Sequence, residues 1–126
     1  MKIAVLDWYT VNIGGDIPSS RFEEFGEVRV IPMTTPEETA ANIADADIVL
    51  CNKVMITKEV IDACPNMRYI GLFATGFNNI DIEYAAKKGI TVCNAGEYST
   101  NAVAQQVFAY ILDHCNRIRD YGAAVK

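Results

Sequence analysis

A chain of 126 residues, 51% hydrophobic and carrying a net charge of −5, has the size and composition of one globular domain, which excludes a disordered or fibrous polypeptide. The acidic balance lacks the surplus of Lys and Arg that general nucleic-acid binding requires, so nucleic acid is not an expected partner. No stretch approaches the ~20 apolar residues of a membrane span, and the apolar run at the start is too short for a signal peptide.

Four cysteines, Cys51, Cys64, Cys93 and Cys115, are widely spaced and accompanied by a single His. They are read as reduced thiols, so neither a disulfide nor a metal site is expected, and the expected compartment is the cytoplasm.

In chain order, short apolar runs bounded by turn or cap residues predict buried strands at Ile3 to Leu6, Val28 to Ile31, Ile48 to Cys51, Tyr69 to Phe73 and Ile90 to Cys93. Helical stretches alternate with them. The first is Ser20 to Phe25. The second, Pro36 to Ala44, has Thr35 and Glu38 spaced as a capping box and Pro36 at the first helical position. A third runs from Lys58 to Ala63 behind Thr57 as its cap. The fourth, Ile82 to Lys88, has Asp81 as N-cap, two lysines in its last turn, and Gly89 as its stop. Strands alternating with helices through right-handed crossovers make a parallel sheet. The expected fold is therefore α/β: a flavodoxin-like, doubly wound, five-stranded parallel sheet in one domain.

From Asn101 to about Tyr121 the chain has no Gly or Pro, and its apolar residues fall on two stripes. Val103, Val107, Ile111 and Cys115 lie on one; Ala104, Phe108 and Leu112 lie on the other. Such a helix needs cover on two sides. The sheet is expected to cover one stripe, and a further domain or subunit the other; left bare, the second stripe would drive self-association. His114, the single histidine, sits in this helix and is read as a surface or interface residue rather than a general acid.

Ligands of open α/β sheets bind outside the carboxyl ends of the strands. The most distinctive loop there is Ala74-Thr75-Gly76-Phe77-Asn78-Asn79. Gly76 is free to take a positive φ, so that consecutive backbone N–H groups face a carboxylate. Charge-assisted bonds of this kind contribute about 1.5–3 kcal/mol each, enough for two amides to fix a small acid without holding it tightly. The same residues also suit a plain turn.

Ala74-Thr75-Gly76-Phe77-Asn78-Asn79-Ile80-Asp81 resembles the (G/A)-T-G-x-(D/N)-N-(I/V)-D signature of the D-isomer-specific 2-hydroxyacid dehydrogenases. Three flanking blocks agree in order. Asn66-Met67-Arg68-Tyr69-Ile70 resembles the family's P-x-L-K-x-I lead-in, and Ala85 to Asn94 resembles A-A-x-x-G-I-x-V-x-N. Tyr98 to Gln105 resembles Y-S-T-x-x-V-A-(E/Q). Leu6 to Thr10 and Cys51 to Lys53 are similar to the glycerate dehydrogenase (hydroxypyruvate reductase) subgroup. The resemblance spans essentially the whole chain.

It implies a substrate-binding domain over 1–100 and an interdomain helix with a domain boundary over 101–126. It places the substrate carboxylate on the amides of Thr75 and Gly76, beside Ala74, with Asn52, Lys53 and Tyr98 lining the same pocket. On local sequence alone, Lys53 equally suits a solvated strand end and Tyr98 a packed helix-entry aromatic. Thr100 and Val103 match positions near the family's nicotinamide, but Val103 belongs to an apolar stripe and is read as core.

The family's G-x-G-x-x-G turn has no counterpart in this chain, and its catalytic Arg, Glu and His lie beyond the matched stretch. No catalytic residue and no cofactor contact is therefore expected within 1–126. For the whole protein the resemblance implies NAD or NADP, a small 2-keto or 2-hydroxy acid such as hydroxypyruvate or glyoxylate, and a homodimer. The alternative is a stand-alone carboxylate-binding or receiver-like module, although a receiver needs an acid where the third strand ends and Ile48-Val49-Leu50-Cys51-Asn52 has none.

Overall fold

A computed structural model describes residues 1–125. All five expected strands form: β1 (Lys2–Val5), β2 (Glu27–Val30), β3 (Ile48–Cys51), β4 (Tyr69–Leu72) and β5 (Thr91–Cys93). They make one parallel sheet in the order β2-β1-β3-β4-β5. This is the flavodoxin order, whose winding direction reverses between β1 and β3. Right-handed crossovers put α2 (Thr39–Ile43), α3 (Lys58–Ala63) and α4 (Ile82–Lys87) on one face, and a 3₁₀ helix, Ser19–Phe25, on the other.

Period-two alternation divides the strand side chains between these faces. Ala4, Val49, Ile70 and Val92 pair in one row, and the first three are fully buried. With Leu6, Cys51 and Leu72 they pack against Ile43 of α2, Ile61 of α3 and Ala85 of α4. Burying one such aliphatic side chain contributes ~1.5–3 kcal/mol, so this face carries the core. In the next row, Val5 is buried, Leu50 half-buried and Cys93 exposed.

The helices depart from expectation in instructive ways. Pro36 to Glu38 form a turn, so α2 is shorter than the Pro36 to Ala44 helix expected. Glu38 does reach back to the Thr35 N–H (3.3 Å), but the Thr35 hydroxyl donates to the same carboxylate (3.0 Å) and so does not cap the helix. Thr57 precedes α3 in an extended conformation without a side-chain cap bond. Asp81 caps α4 as expected, accepting from Tyr84 N–H at 3.0 Å, and Gly89 follows at φ 74°. A helix that the apolar runs did not signal, α1 (Trp8–Val11), starts directly after β1.

The chain divides into two compact units, Met1–Gly96 and the residues from Glu97 on. The second contains α5 (Thr100–Asn116) and α6 (Ile118–Ala124). The single long helix expected to about Tyr121 is broken at Arg117, which takes a left-handed conformation (φ 48°) and bonds through Nε to Asp120 at 2.8 Å. No residue of α5 is buried.

Candidate functional site

Five loops leave the carboxyl ends of the strands, and side-chain hydrogen bonds tie them to one another in sequence across the sheet. At the switch point, Asp7 follows β1 with φ 56°, an uncommon conformation that Asp tolerates better than most residues. It is 4% exposed. One carboxylate oxygen accepts from Thr34 N–H (3.2 Å) in the loop after β2, and the other from Lys53 N–H (3.3 Å) in the loop after β3. The Asp7 carbonyl accepts from the Thr10 hydroxyl (2.8 Å), which in turn accepts from the Asn52 side-chain amide (2.8 Å).

The loop after β3 is joined to the loop after β4 by Asn79. Its side-chain amide donates to the carbonyls of Val54 (2.7 Å) and Asn52 (3.4 Å). A backbone bridge between Ile56 and Ile80 continues the contact. The loop after β4 is then clamped to the loop after β5 by three bonds. Ala95 N–H donates to the Ala74 carbonyl (3.0 Å), the Thr75 hydroxyl to the Gly96 carbonyl (2.7 Å), and the Asn94 side-chain amide to the Thr75 carbonyl (2.7 Å).

This clamp uses the carbonyls of Ala74 and Thr75 and the Thr75 hydroxyl. Among the described residues, no group of the chain accepts from the N–H of Thr75 or Gly76. Both residues are exposed, and a Cβ built on Gly76 would meet nothing within 4 Å. Gly76 does not take the positive φ expected of it; in this region that conformation falls to Gly96 (φ 66°), whose carbonyl receives the Thr75 hydroxyl. What glycine gives at position 76 is open space beside two unpaired amides. Backbone donors that are free, fixed and accessible are what an anionic oxygen needs.

Of the expected site residues, Ala74, Thr75 and Gly76 share one clamped turn, and Asn79 brings Asn52 and Lys53 up against its loop. Asn52 has its side-chain amide committed to Thr10. Lys53 is exposed, and its backbone N–H is held by Asp7. Tyr98 belongs to the second unit and is 72% exposed. A groove of about 360 Å³ lined by Phe77, Ile82, Ala86, Ile90, Val92 and Asn94 opens beside the same loop. Its aliphatic and aromatic walls suit an apolar group rather than a carboxylate.

Asp7, Thr10, Asn79 and Asn94 stand within the blocks that carry the family resemblance, but sequence reading gave none of them a part in the site. The signal available was an acid directly after a fully apolar strand at the sheet's first carboxyl end. Burial pushes the neighbouring Cys51 thiol up to about 12, and the Asp7 charge adds to the effect, so Cys51 remains a neutral thiol within the core.

Residues 6–110 match the catalytic domain of the D-isomer specific 2-hydroxyacid dehydrogenases. The chain is 40% identical to a hydroxypyruvate reductase of Blautia hydrogenotrophica, over 99% of this chain and 39% of that protein. It is 41% identical to a glyoxylate reductase of Thermofilum pendens, over 65% of this chain and 24% of that protein. The solved structure of an acyclic imino acid reductase (Bsp5), in complex with NADPH and D-Arg, superposes with a TM-score of 0.78 at 26% identity, over 99% of this chain and 40% of that one. The chain thus spans well under half the length of these relatives. It belongs to the D-isomer specific 2-hydroxyacid dehydrogenase family.

Proposed function

We propose that this chain is the substrate-binding part of a dehydrogenase that interconverts small 2-keto and 2-hydroxy acids, hydroxypyruvate and D-glycerate or glyoxylate and glycolate, with NAD(H) or NADP(H). The observation that carries the reading is the clamped Ala74 to Asn79 turn with the unpaired amides of Thr75 and Gly76. The substrate carboxylate accepts from these two N–H groups, which the clamp keeps aimed without further ordering when the acid binds. Lys53 adds positive charge, Asn52 shapes the loop that carries it, and Tyr98 completes the set of residues that the family resemblance implies for the pocket.

A dinucleotide does not fit the turns of this chain. Pyrophosphate approaches a helix N-terminus through a turn with several glycines, whereas each strand-to-helix turn here contains at most one, Gly76 or Gly96. The cofactor and the proton-transferring groups are therefore assigned to residues outside 1–126, and 101–126 to the passage between the two parts. The widely spaced cysteines, read as reduced thiols, are the ground for placing the protein in the cytoplasm.

The test is an assay of the protein purified from its natural source beside the 126-residue chain. Each is offered hydroxypyruvate or glyoxylate with NADH or NADPH, and its intact mass is recorded. The natural protein is expected to oxidise the nicotinamide and the 126-residue chain to turn nothing over. Turnover by the short chain alone, or a natural protein of this same mass with no turnover, overturns the proposal. We also propose that the chain self-associates through α5, where Phe108 and Leu112 are 64% and 54% exposed, and the natural protein as a homodimer. Sedimentation across a concentration series should show association of the chain; a strict monomer refutes that part.

A further inference from the structure

We propose that Asp7 is a positioning residue for the 2-keto-acid site. Its carboxylate and carbonyl set the Asn52 to Val54 segment, and that segment, through Asn79, sets the turn that presents the Thr75 and Gly76 amides. The inference rests on the carboxylate-binding reading of that turn and adds a residue to which the family resemblance gave no role in the site.

Three observations converge on it. Asp7 is 4% exposed and has no ion-pair partner among the described residues. A carboxylate in that state needs N–H donors aimed at it, so the Thr34 and Lys53 amides are drawn in from two different loops. Second, Asp7 holds a left-handed backbone conformation where no glycine is present to relax it, a condition that persists where the surroundings over-determine it and that clusters at functional sites. Third, its contacts continue without a gap toward the candidate site. Asp7 meets Lys53 directly and Asn52 through Thr10, and Asn79 grips the carbonyls on either side of Lys53. Removing the first anchor frees the Asn52 to Val54 segment on one side, so Asn79 then holds a looser support.

The experiment follows backbone amide resonances of the isotopically labelled 126-residue chain during titration with oxamate, an unreactive analogue of a 2-keto acid. Wild type, Asp7→Asn, Thr10→Val and Thr10→Ser are compared at a temperature where each shows a native spectrum. Asn tolerates the left-handed conformation but turns an NH₂ toward one of the two N–H groups. It is expected to weaken oxamate binding about tenfold, the size of one lost charge-assisted bond. Thr10→Val removes the link to Asn52 and should weaken binding by a smaller factor, whereas Thr10→Ser keeps the hydroxyl and should restore wild-type affinity, which a role in stability alone would not produce. Should Asp7→Asn not fold, the Thr10 pair decides the question. If wild type shows no saturable shift at Thr75 and Gly76, the carboxylate reading fails and this inference falls with it. If wild type binds there and Asp7→Asn and Thr10→Val bind equally well, only the role of Asp7 is overturned.

Discussion

The sheet unit and the helical unit hold apolar residues in comparable density but use them differently. In the first, Leu6, Ile43, Val49, Ile56 and Ile70 are each fully buried. In the second, Val103, Val107, Phe108, Ile111 and Leu112 are all exposed by half or more. An apolar residue stabilises a fold only by leaving water, so the sheet unit carries its own stability, whereas the apolar residues of α5 contribute little to it.

The sharpest way to break this comparison is a matched pair of truncations. Leu6→Ala removes a fully buried side chain and should cost about 2–5 kcal/mol in urea denaturation. Leu112→Ala, at 54% exposure, should change stability by less than about 0.5 kcal/mol. Equal costs would mean that α5 is buried in solution.

Two glycines sharpen the contrast between core and site. A Cβ on Gly71 would lie 2.7 Å from Leu50 Cδ2 and 3.1 Å from Tyr69 Cε1, so Gly71→Ala should destabilise by about 1–3 kcal/mol. Gly76→Ala meets nothing within 4 Å and should leave stability within about 0.5 kcal/mol of wild type while abolishing the oxamate shifts, since the methyl fills the space beside the amides.

Thiol reactivity separates the buried from the exposed without mutation. Cys93 and Cys115 are exposed and Cys51 and Cys64 buried, so a thiol reagent near neutral pH should label the first two rapidly and the others only on unfolding. Because burial holds Cys51 at about 12 against an ordinary value of 9.0, the unfolded chain ionises this thiol first as pH rises. The corresponding stability is complete below about pH 9 and is lost toward pH 12. Cys51→Ala should flatten that alkaline decline.

The smallest effect belongs to the surface. Lys88, Lys58 and the Tyr84 hydroxyl all bond to Asp62 and hold its carboxyl well below the ordinary value of 3.8. The stabilisation is present above that value and disappears as pH falls through the lower, folded one. Asp62→Asn should lower the melting temperature slightly at neutral pH, and the gap should close in acid; a gap that stays constant would assign the effect to packing.

All five strands were legible in the sequence, because a run such as Ile48-Val49-Leu50-Cys51 between turn residues has no stable place except a buried strand. The Asp81 cap, the Gly89 stop and the Ala74 to Asn79 loop were legible for the same reason, each being decided by residues within a few positions of one another. The short α2, the break at Arg117 and the absence of a positive φ at Gly76 were not. Each depends on a competing local bond or on neighbours that the chain brings together only when folded.

The sequence by itself determined the parallel α/β class and pointed to the loop that presents the two unpaired amides, since hydrophobic periodicity and turn chemistry are written in consecutive residues. Only the tertiary structure decided how that loop is held. Lys53 and Asp7 are 46 residues apart, Asn79 and Asn52 are 27, and Thr75 and Gly96 are 21. These pairs meet because parallel strands place successive carboxyl ends side by side, and no spacing along the chain encodes the directions in which their donors and acceptors face.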